Sequence, residues 1–248
     1  IYNMCRFRFS ADGKVIDAFA ISPQHLLEAS NVVVQLLAAS AARSVILRQW
    51  SHIDGAAINA PTLEYLMEMC QSLKDLTLEK LEMDENTCRV LGTCSRPDFD
   101  IKLISCEFTN AGSSALAEAL GRNQGPTKLD DCHMDNSVLA NGLRGNSRLR
   151  NFKPRVSMYD EVDNREVLAI ASALKENKGL IDLDIRYDFL MSNETWDIVC
   201  DSLKTHSTLQ ILSLRLMRAH DWALLTPAVL KYRMQALVDM LKVNTSIH

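Results

Sequence analysis

The sequence contains little glycine and proline and no long apolar run. Nine glycines and six prolines in 248 residues argue against a collagen-like chain, extensive disorder or long flexible linkers. No stretch of about eighteen uncharged apolar residues occurs, which excludes a membrane-spanning helix. Basic residues are not in excess, since 27 Lys and Arg stand against 31 Asp and Glu, so non-specific nucleic-acid binding is not expected.

The cysteines do not suggest a disulfide framework. They are seven in number and include no Cys-x-x-Cys pair, whereas a small secreted scaffold uses an even and denser set. With 47% apolar and 23% charged residues, the chain has the composition of an ordinary soluble globular protein. We therefore predict reduced thiols in a cytoplasmic protein.

Catalytic signatures are also missing. The sequence contains no GxxxxGK[ST] phosphate loop, no GxGxxG, no HExxH and no GxSxG. Asp130, Cys132 and His133 are the best candidates for an unrecognised hydrolase site. Cys106 could join Cys132 and His133 around a metal, but the fourth ligand and the usual spacing are absent. The sequence predicts a non-catalytic protein without a metal or cofactor.

The sequence does contain an internal repeat. The segment ALKENKGLIDLDI at 173–185 recurs as SLKTHSTLQILSL at 202–214, and a weaker copy occupies 142–152. Each copy has a helix end, then Asn or His, then the strand pattern L-x-x-L-x-L, with Ile allowed for Leu. The Asn or His predicts a left-handed residue after each helix, because its short polar side chain tolerates positive φ.

The middle apolar residue of the pattern is the anchor of each copy. The anchors are Val45, Leu76, Ile101, Leu129, Phe152, Leu183 and Leu212. Helical patterns lie between them, and one strand with one helix cannot bury its own apolar side. Stacked copies therefore predict an α/β solenoid with a parallel inner sheet and outer helices. The stack should curve, because helices are wider than the strand spacing of about 4.8 Å.

These copies resemble leucine-rich repeats of the ribonuclease-inhibitor-like class. That class includes Ran GTPase-activating protein, the ends of tropomodulin and the sensor arms of nucleotide-binding immune receptors. The resemblance covers residues 42–248 and is strongest for the copies that end at Ile185 and Leu214. It implies a horseshoe of about seven irregular repeats, truncated within a further repeat.

Parts of the repeat depart from the family pattern. Asp98 and Pro126 replace the first Leu in two consecutive copies, and Asp131 and Pro154 replace the third Leu in two copies. The resemblance implies an Asn or Cys five residues past each anchor in a hydrogen-bonded ladder, and only Cys106 fits. We therefore predict poor register around 126–157.

Residues 1–41 predict a cap on the N-terminal edge of the sheet. Cys5–Phe9 alternates in the strand period, Ser10 to Gly13 is turn-like, and 14–21 predicts a second strand. This hairpin and a helix from 24 to about 40 would cover an unpaired edge, which otherwise invites association.

The concave sheet face supplies the candidate binding site. Strand alternation sends residues one before, one after and three after each anchor to this face. Arg155, Arg186 and Arg215 would stack there and offer bidentate donors to a carboxylate-rich or phosphorylated partner. The predicted partner-binding residues are Arg155, Arg186, Arg215, Lys153, Asp182, Asp184, Tyr187 and Trp222.

Simpler interpretations of these residues remain open. Asp182 and Asp184 lie close enough in sequence to neutralise the arginines internally, as ordinary surface ion pairs do. The same pair resembles a metal site, but no third carboxylate is positioned to complete it. Trp222 lies in an insertion at 218–226, which predicts either a binding loop or packing over the helices.

We predict a non-catalytic scaffold that binds a protein partner, acidic or phosphorylated, on its concave face. One alternative is the sensor or regulatory arm of a larger receptor or of a GTPase-regulating protein. A less favoured alternative is a hydrolase with an unrecognised Cys/His site. Neither nucleic acid nor a membrane is expected as a partner, and the sequence makes no prediction of oligomeric state.

Overall fold

The computed structural model shows an α/β architecture built on one open sheet. It describes residues 5–20, 31–37, 42–49, 58, 60–68, 72–94, 96–155, 164–185, 192–214 and 226–247. Nine strands form the sheet, and from the second strand onward a helix lies in each connection between successive strands of this sheet. The predicted α/β class with a parallel sheet and flanking helices is confirmed at this level.

The strands of the large sheet are arranged in chain order. They are β1 (Cys5–Phe9), β2 (Val15–Ala20), β3 (Ser44–Gln49), β4 (Asp75–Glu79), β6 (Asp100–Ile104), β8 (Lys128–Cys132), β9 (Asn151–Pro154), β10 (Asp182–Ile185) and β11 (Ile211–Leu214). Strands β1 and β2 are antiparallel, and every later neighbour pair is parallel. The two-residue strands β5 (Glu82–Met83) and β7 (Glu107–Phe108) form a separate parallel pair.

Helices pack against one another in the same order as the strands. They are α1 (31–37), α2 (Ala60–Glu68), α3 (Glu85–Leu91), α4 (Asn110–Gly121), α5 (Asn136–Leu143), α6 (Asn164–Leu174), α7 (Asn193–Lys204) and α8 (Pro227–Val243). From α2 onward each helix contacts the next. We call one strand with the helix that follows it a strand–helix unit.

Local signals explain where many of these helices begin. Asp84, Thr109, Asp135, Ser192 and Thr226 each precede a helix and accept a hydrogen bond from a backbone N–H of its first turn. Such a cap satisfies a donor that has no partner within the helix and stabilises by about 1 kcal/mol.

Alternation along the strands creates the core. In β3, Val45 and Leu47 are fully buried, while the alternate residues Ser44, Ile46 and Arg48 are half-exposed. Leu76 and Leu103 on the next parallel strands are also fully buried. Each such side chain stabilises the fold by about 1.5–3 kcal/mol. The half-exposed residues form the sheet face opposite this core, which we call the open face.

The anchor residues fall into two aligned groups. Val45, Leu76 and Ile101 pair in register across three strands. Leu129, Phe152, Leu183 and Leu212 pair in register across four strands. The spacing of the apolar residues therefore predicted the strands and most of their pairing.

The alignment of Ile101 with Leu129 is wrong by two residues. Leu129 pairs with Leu103, and the backbone N–H of buried Thr127 donates to the Ile101 carbonyl. A slip of two residues keeps the same side chains facing the core, so the apolar pattern does not distinguish these registers. The polar residue Thr127 therefore lies beside Ile101, at the position where we expected the anchor Leu129.

Irregular pairing occurs within the predicted range 126–157. The register between β8 and β9 shifts between Asp130 and Cys132, where Asp131 has a φ of 56°. Lys80 and Ser105 adopt the same left-handed conformation at the ends of the two preceding core strands. The chain then turns toward the short strands β5 and β7.

The N-terminal hairpin continues into the main sheet. Strands β1 and β2 are joined by a turn in which Gly13 has a φ of 66° and Asp12 accepts from Ser10 Oγ. Strand β2 then pairs in parallel with β3 along its whole length. Helix α1 follows with Val33 and Leu37 buried.

No helix in the described ranges is both long enough and apolar enough to cross a bilayer. Five cysteines within those ranges are buried free thiols. They are Cys88, Cys94, Cys106, Cys132 and Cys200.

Candidate functional site

Charged side chains on the open face pair across neighbouring strands. At the N-terminal end of the sheet, Arg48 Nε lies 3.0 Å from Asp17 Oδ1, and its Nη1 lies 3.2 Å from Glu79 Oε2. Two strands further along, Lys102 Nζ on β6 lies 2.8 Å from Asp75 Oδ1 on β4. Each cation thus joins its own strand to a neighbour.

A second cluster surrounds Asp130. Lys128 Nζ lies 2.9 Å and Lys153 Nζ 3.0 Å from its carboxylate oxygens. Burial alone would raise the pKa of Asp130, but the hydrogen bonds from the two lysines outweigh it and lower that pKa. Asp130 is therefore a carboxylate at neutral pH, held between two cations.

The predicted residues Asp182 and Asp184 extend this cluster. Asn151 Nδ2 donates to Asp182 Oδ2 at 3.1 Å. Asp184 is 7% exposed, and Lys153 Nζ lies 4.0 Å from its Oδ2. Lys153, Asp182 and Asp184 are thus brought together on adjacent strands β9 and β10, as their positions beside the anchors predict.

The predicted arginine row is described at one position. Arg155 follows β9, is exposed, and has no carboxylate within ion-pair distance in the described part of the chain. Arg186, Tyr187, Arg215 and Trp222 lie outside the described residues. Their place in a partner-binding surface stays a prediction.

The residues of the hydrolase alternative do not form a joint open-face site. Alternation from Leu129 would put Cys132 on the open face, but the structure buries it to 2% exposure. The left-handed Asp131 reverses the alternation at this point. Burial raises the pKa of the Cys132 thiol well above its usual range, so the thiol is protonated at neutral pH. His133 pairs with β7 through its backbone.

A ladder of thiol hydrogen bonds connects adjacent units. Cys106 Sγ donates to the Leu78 carbonyl at 3.4 Å, and Cys132 Sγ donates to the Leu103 carbonyl at 3.4 Å. Cys132 therefore occupies the ladder position that the sequence assigned to Cys106 alone. It was missed because the expected register at Leu129 was shifted by two residues.

The Asn and His residues after the helices act through their side chains. None of Asn146, Asn177, His206 and Asn244 is among the described residues with positive φ, so the predicted left-handed conformation is wrong at these four positions, whereas Asn123 after α4 has a φ of 60°. All four are buried. We call this row of four residues the Asn/His spine.

Asn177 shows how the Asn/His spine works. Its Nδ2 donates to the Leu143 and Asn146 carbonyls of the preceding unit, at 2.6 and 2.9 Å. Its Oδ1 accepts from the backbone N–H groups of Gly179 and Leu180, at 3.0 and 2.9 Å. The Asn177 side chain thus fixes the turn that leads from α6 to β10, and it also links this connection to the preceding one.

His206 performs only part of this role. Its Nδ1 accepts from the Leu209 N–H at 3.2 Å, while its buried Nε2 has no hydrogen-bond partner. Burial lowers the pKa of the imidazole. The neutral ring with its proton on Nε2 fits this arrangement, because Nδ1 is the acceptor.

Within the described ranges, no three His, Cys, Asp or Glu side chains converge to hold a metal ion. The site is therefore best described as a half-exposed sheet face crossed by ion pairs. The sequence matches no protein-family model, and a search of curated proteins found no match to it.

Proposed function

We propose that the chain is a leucine-rich repeat protein of the ribonuclease-inhibitor-like class, a curved solenoid that binds a protein partner on its open face. Strand–helix units in chain order, the thiol ladder and the Asn/His spine support this class. Buried free thiols are in keeping with a reducing compartment, and we extend the proposal to a cytoplasmic location.

The observation that carries the binding proposal is the open face itself. Across consecutive strands it presents mainly polar and charged side chains, interrupted by Ile46, Ile104 and the exposed Ile211, while the other apolar side chains of the strands face the core. An extended polar surface on rigid strands can recognise a partner without rearranging its backbone. Arg155 adds an exposed cation of the residue type enriched in interfaces.

The proposed partner is acidic or phosphorylated. The carboxylates at the centre of the open face, such as Asp130, already contact lysines. Arg155 has no such carboxylate among the described residues and offers a guanidinium fork that fits a carboxylate or phosphate. We place Arg186 and Arg215 beside it in this proposal.

Charge reversal tests the proposal. The triple variant R155E/R186E/R215E should retain less than about a tenth of the proteins captured from a lysate by the wild type, because charge-assisted contacts carry roughly 1.5–3 kcal/mol each. The matched control R122E/K175E/K231E reverses three exposed cations away from the open face. Quantitative mass spectrometry of the captured proteins gives the measurement.

The control should capture the same proteins as the wild type, and all three chains should melt within a few degrees of one another. Equal capture by the arginine variant and the control would refute binding at this face. A loss of capture in both variants would show general charge attraction in place of a site.

A further inference from the structure

A groove of about 470 Å³ runs across the connections between helix ends and strand starts. It is separate from the open face and belongs to the last four connections, those that follow α5, α6, α7 and α8. We call it the loop groove. It is lined by Ser147, Arg150, Lys178, Gly179, Ile181, Ser207, Thr208, Gln210 and Ser246.

Small residues occupy the positions of the loop groove that correspond to Arg148 in the earlier connection. Two residues past Asn146, Arg148 lies along the earlier connections and donates to the carbonyls of Arg96, Phe99 and Gly125 at 2.6–3.0 Å. The residues two past the later members of the Asn/His spine are Gly179, Thr208 and Ser246. None of these three residues has a side chain long enough to extend along the preceding connections as Arg148 does.

Backbone packing fixes the floor of the groove. A Cβ on Gly179 would lie 2.3 Å from Ser147 Cα, so the two connections touch directly. Thr208 Oγ1 donates to the Leu180 carbonyl, and Ser246 Oγ donates to the His206 carbonyl. These two carbonyls of the floor therefore each accept a hydrogen bond from a hydroxyl.

The charge of the lining is positive. Arg150 and Lys178 are exposed, and no described carboxylate pairs with either of them. The lining includes no Asp or Glu among the described residues. Glu176, the nearest acidic residue in sequence to Lys178, pairs with Arg144 at 2.9 Å. On the open face, by contrast, lysines such as Lys102 contact carboxylates.

A hydroxyl group and an amide group accompany Arg150 and Lys178 in the loop groove. Ser207 is exposed, and no hydrogen bond of its hydroxyl lies within the described part. Gln210 adds an exposed amide on the same side of the groove. A guanidinium, an ammonium, a hydroxyl and an amide around one concavity form the donor set that a phosphate monoester requires. The volume lies within the range of small-ligand sites.

We propose that the loop groove binds a phosphate monoester dianion through Arg150, Lys178 and Ser207. The phosphate can belong to a small molecule or to a phosphorylated side chain of a protein. This site does not depend on the binding function of the open face, since none of the open-face residues lines it.

Calorimetric titration at constant ionic strength tests the site. The probes are inorganic phosphate, a phosphoserine peptide and the same peptide without phosphate. The wild type should bind the phosphopeptide saturably and the unphosphorylated peptide at least about tenfold more weakly. R150Q/K178Q should lose at least about tenfold in affinity, because it removes two charge-assisted donors. The matched control R122Q/K231Q removes the same charges elsewhere.

A second variant tests the site in case R150Q/K178Q does not fold. S207D places a carboxylate in the groove at an exposed position and should abolish binding while the melting temperature stays within a few degrees of the wild type. Binding of phosphate alone would assign the site to small molecules, and binding of the phosphopeptide would assign it to a phosphoprotein. Absence of saturable binding by either phosphate probe, or equal losses in R150Q/K178Q and its control, would overturn the proposal.

Discussion

The middle and the last strand–helix units connect to their neighbours by different means. In the middle units the link lies after the strand, where Cys106 and Cys132 donate thiol hydrogen bonds and Ser105 and Asp131 turn the backbone through positive φ. In the last units it lies before the strand, where Asn146 and Asn177 hold the chain through their side-chain amide groups. The middle units thus use backbone conformation and weak donors, and the last units use strong side-chain hydrogen bonds.

This difference implies that removing one linking side chain lowers the free energy of unfolding more in the last units than in the middle units. An amide with two donated and two accepted bonds satisfies four backbone groups, while a thiol satisfies one carbonyl. A buried backbone group left without a partner costs about 1–3 kcal/mol. The two kinds of link can therefore be compared by single substitutions.

The largest effect is expected at the centre of the Asn/His spine. Asn177→Ala should lower the free energy of unfolding by at least about 3 kcal/mol, because it leaves buried backbone groups of two units without partners. Urea unfolding followed by circular dichroism gives the measurement. Asn151→Ala, which removes one half-exposed hydrogen bond to Asp182, is the matched control and should cost less than about 1 kcal/mol. Equal costs would contradict the role of Asn177.

A smaller effect is expected for the thiol ladder. Cys132→Ala should lower the free energy of unfolding by about 1–2 kcal/mol, because it removes a weak donor and leaves a small cavity. Cys200→Ala is the control for lost volume, since Cys200 is a buried thiol in α7 without a described hydrogen bond. If Cys132→Ala proved as costly as Asn177→Ala, the comparison between the two kinds of link would fail.

The smallest effect, and the only gain, is expected at His206. His206→Asn should raise the free energy of unfolding by about 1 kcal/mol, because an amide can donate where Nε2 has no partner. Burial lowers the pKa of His206 below the unfolded value of about 6.5, so the wild type should lose stability relative to the variant as the pH falls through and below that value.

Urea unfolding at pH 7.5 and 5.5 checks both parts of this prediction. The gap between His206→Asn and the wild type should widen at the lower pH, since the unfolded wild type takes up a proton that the buried ring resists. A variant less stable than the wild type at both pH values would show that the imidazole shape, and not its hydrogen bonds, is what the position requires.

The predictable parts of the fold are those in which neighbouring units share a residue pattern. Leu183 and Leu212 pair as predicted because their surrounding segments are near copies. Leu129 was misaligned because a slip of two residues leaves the apolar face unchanged. The buried position of Cys132 follows from the positive φ of Asp131, and no residue type common to Lys80, Ser105 and Asp131 signals that conformation.

The two candidate sites also differ in how far they could be predicted from the sequence. Lys153, Asp182 and Asp184 could be placed together because strand alternation is a local rule. The loop groove could not be predicted, because it depends on Arg148 reaching carbonyls 23 to 52 residues away in the chain. Such contacts between distant connections produce no recognisable residue spacing in the sequence.

Arg148 also bears on how the protein opens. In a linear array whose members touch only their immediate neighbours, opening can start at an end and proceed one member at a time. The guanidinium of Arg148 contacts the connection before its own and also the one before that, at Phe99. We therefore expect those three connections to open together and fraying from the C-terminal side to slow at this arginine.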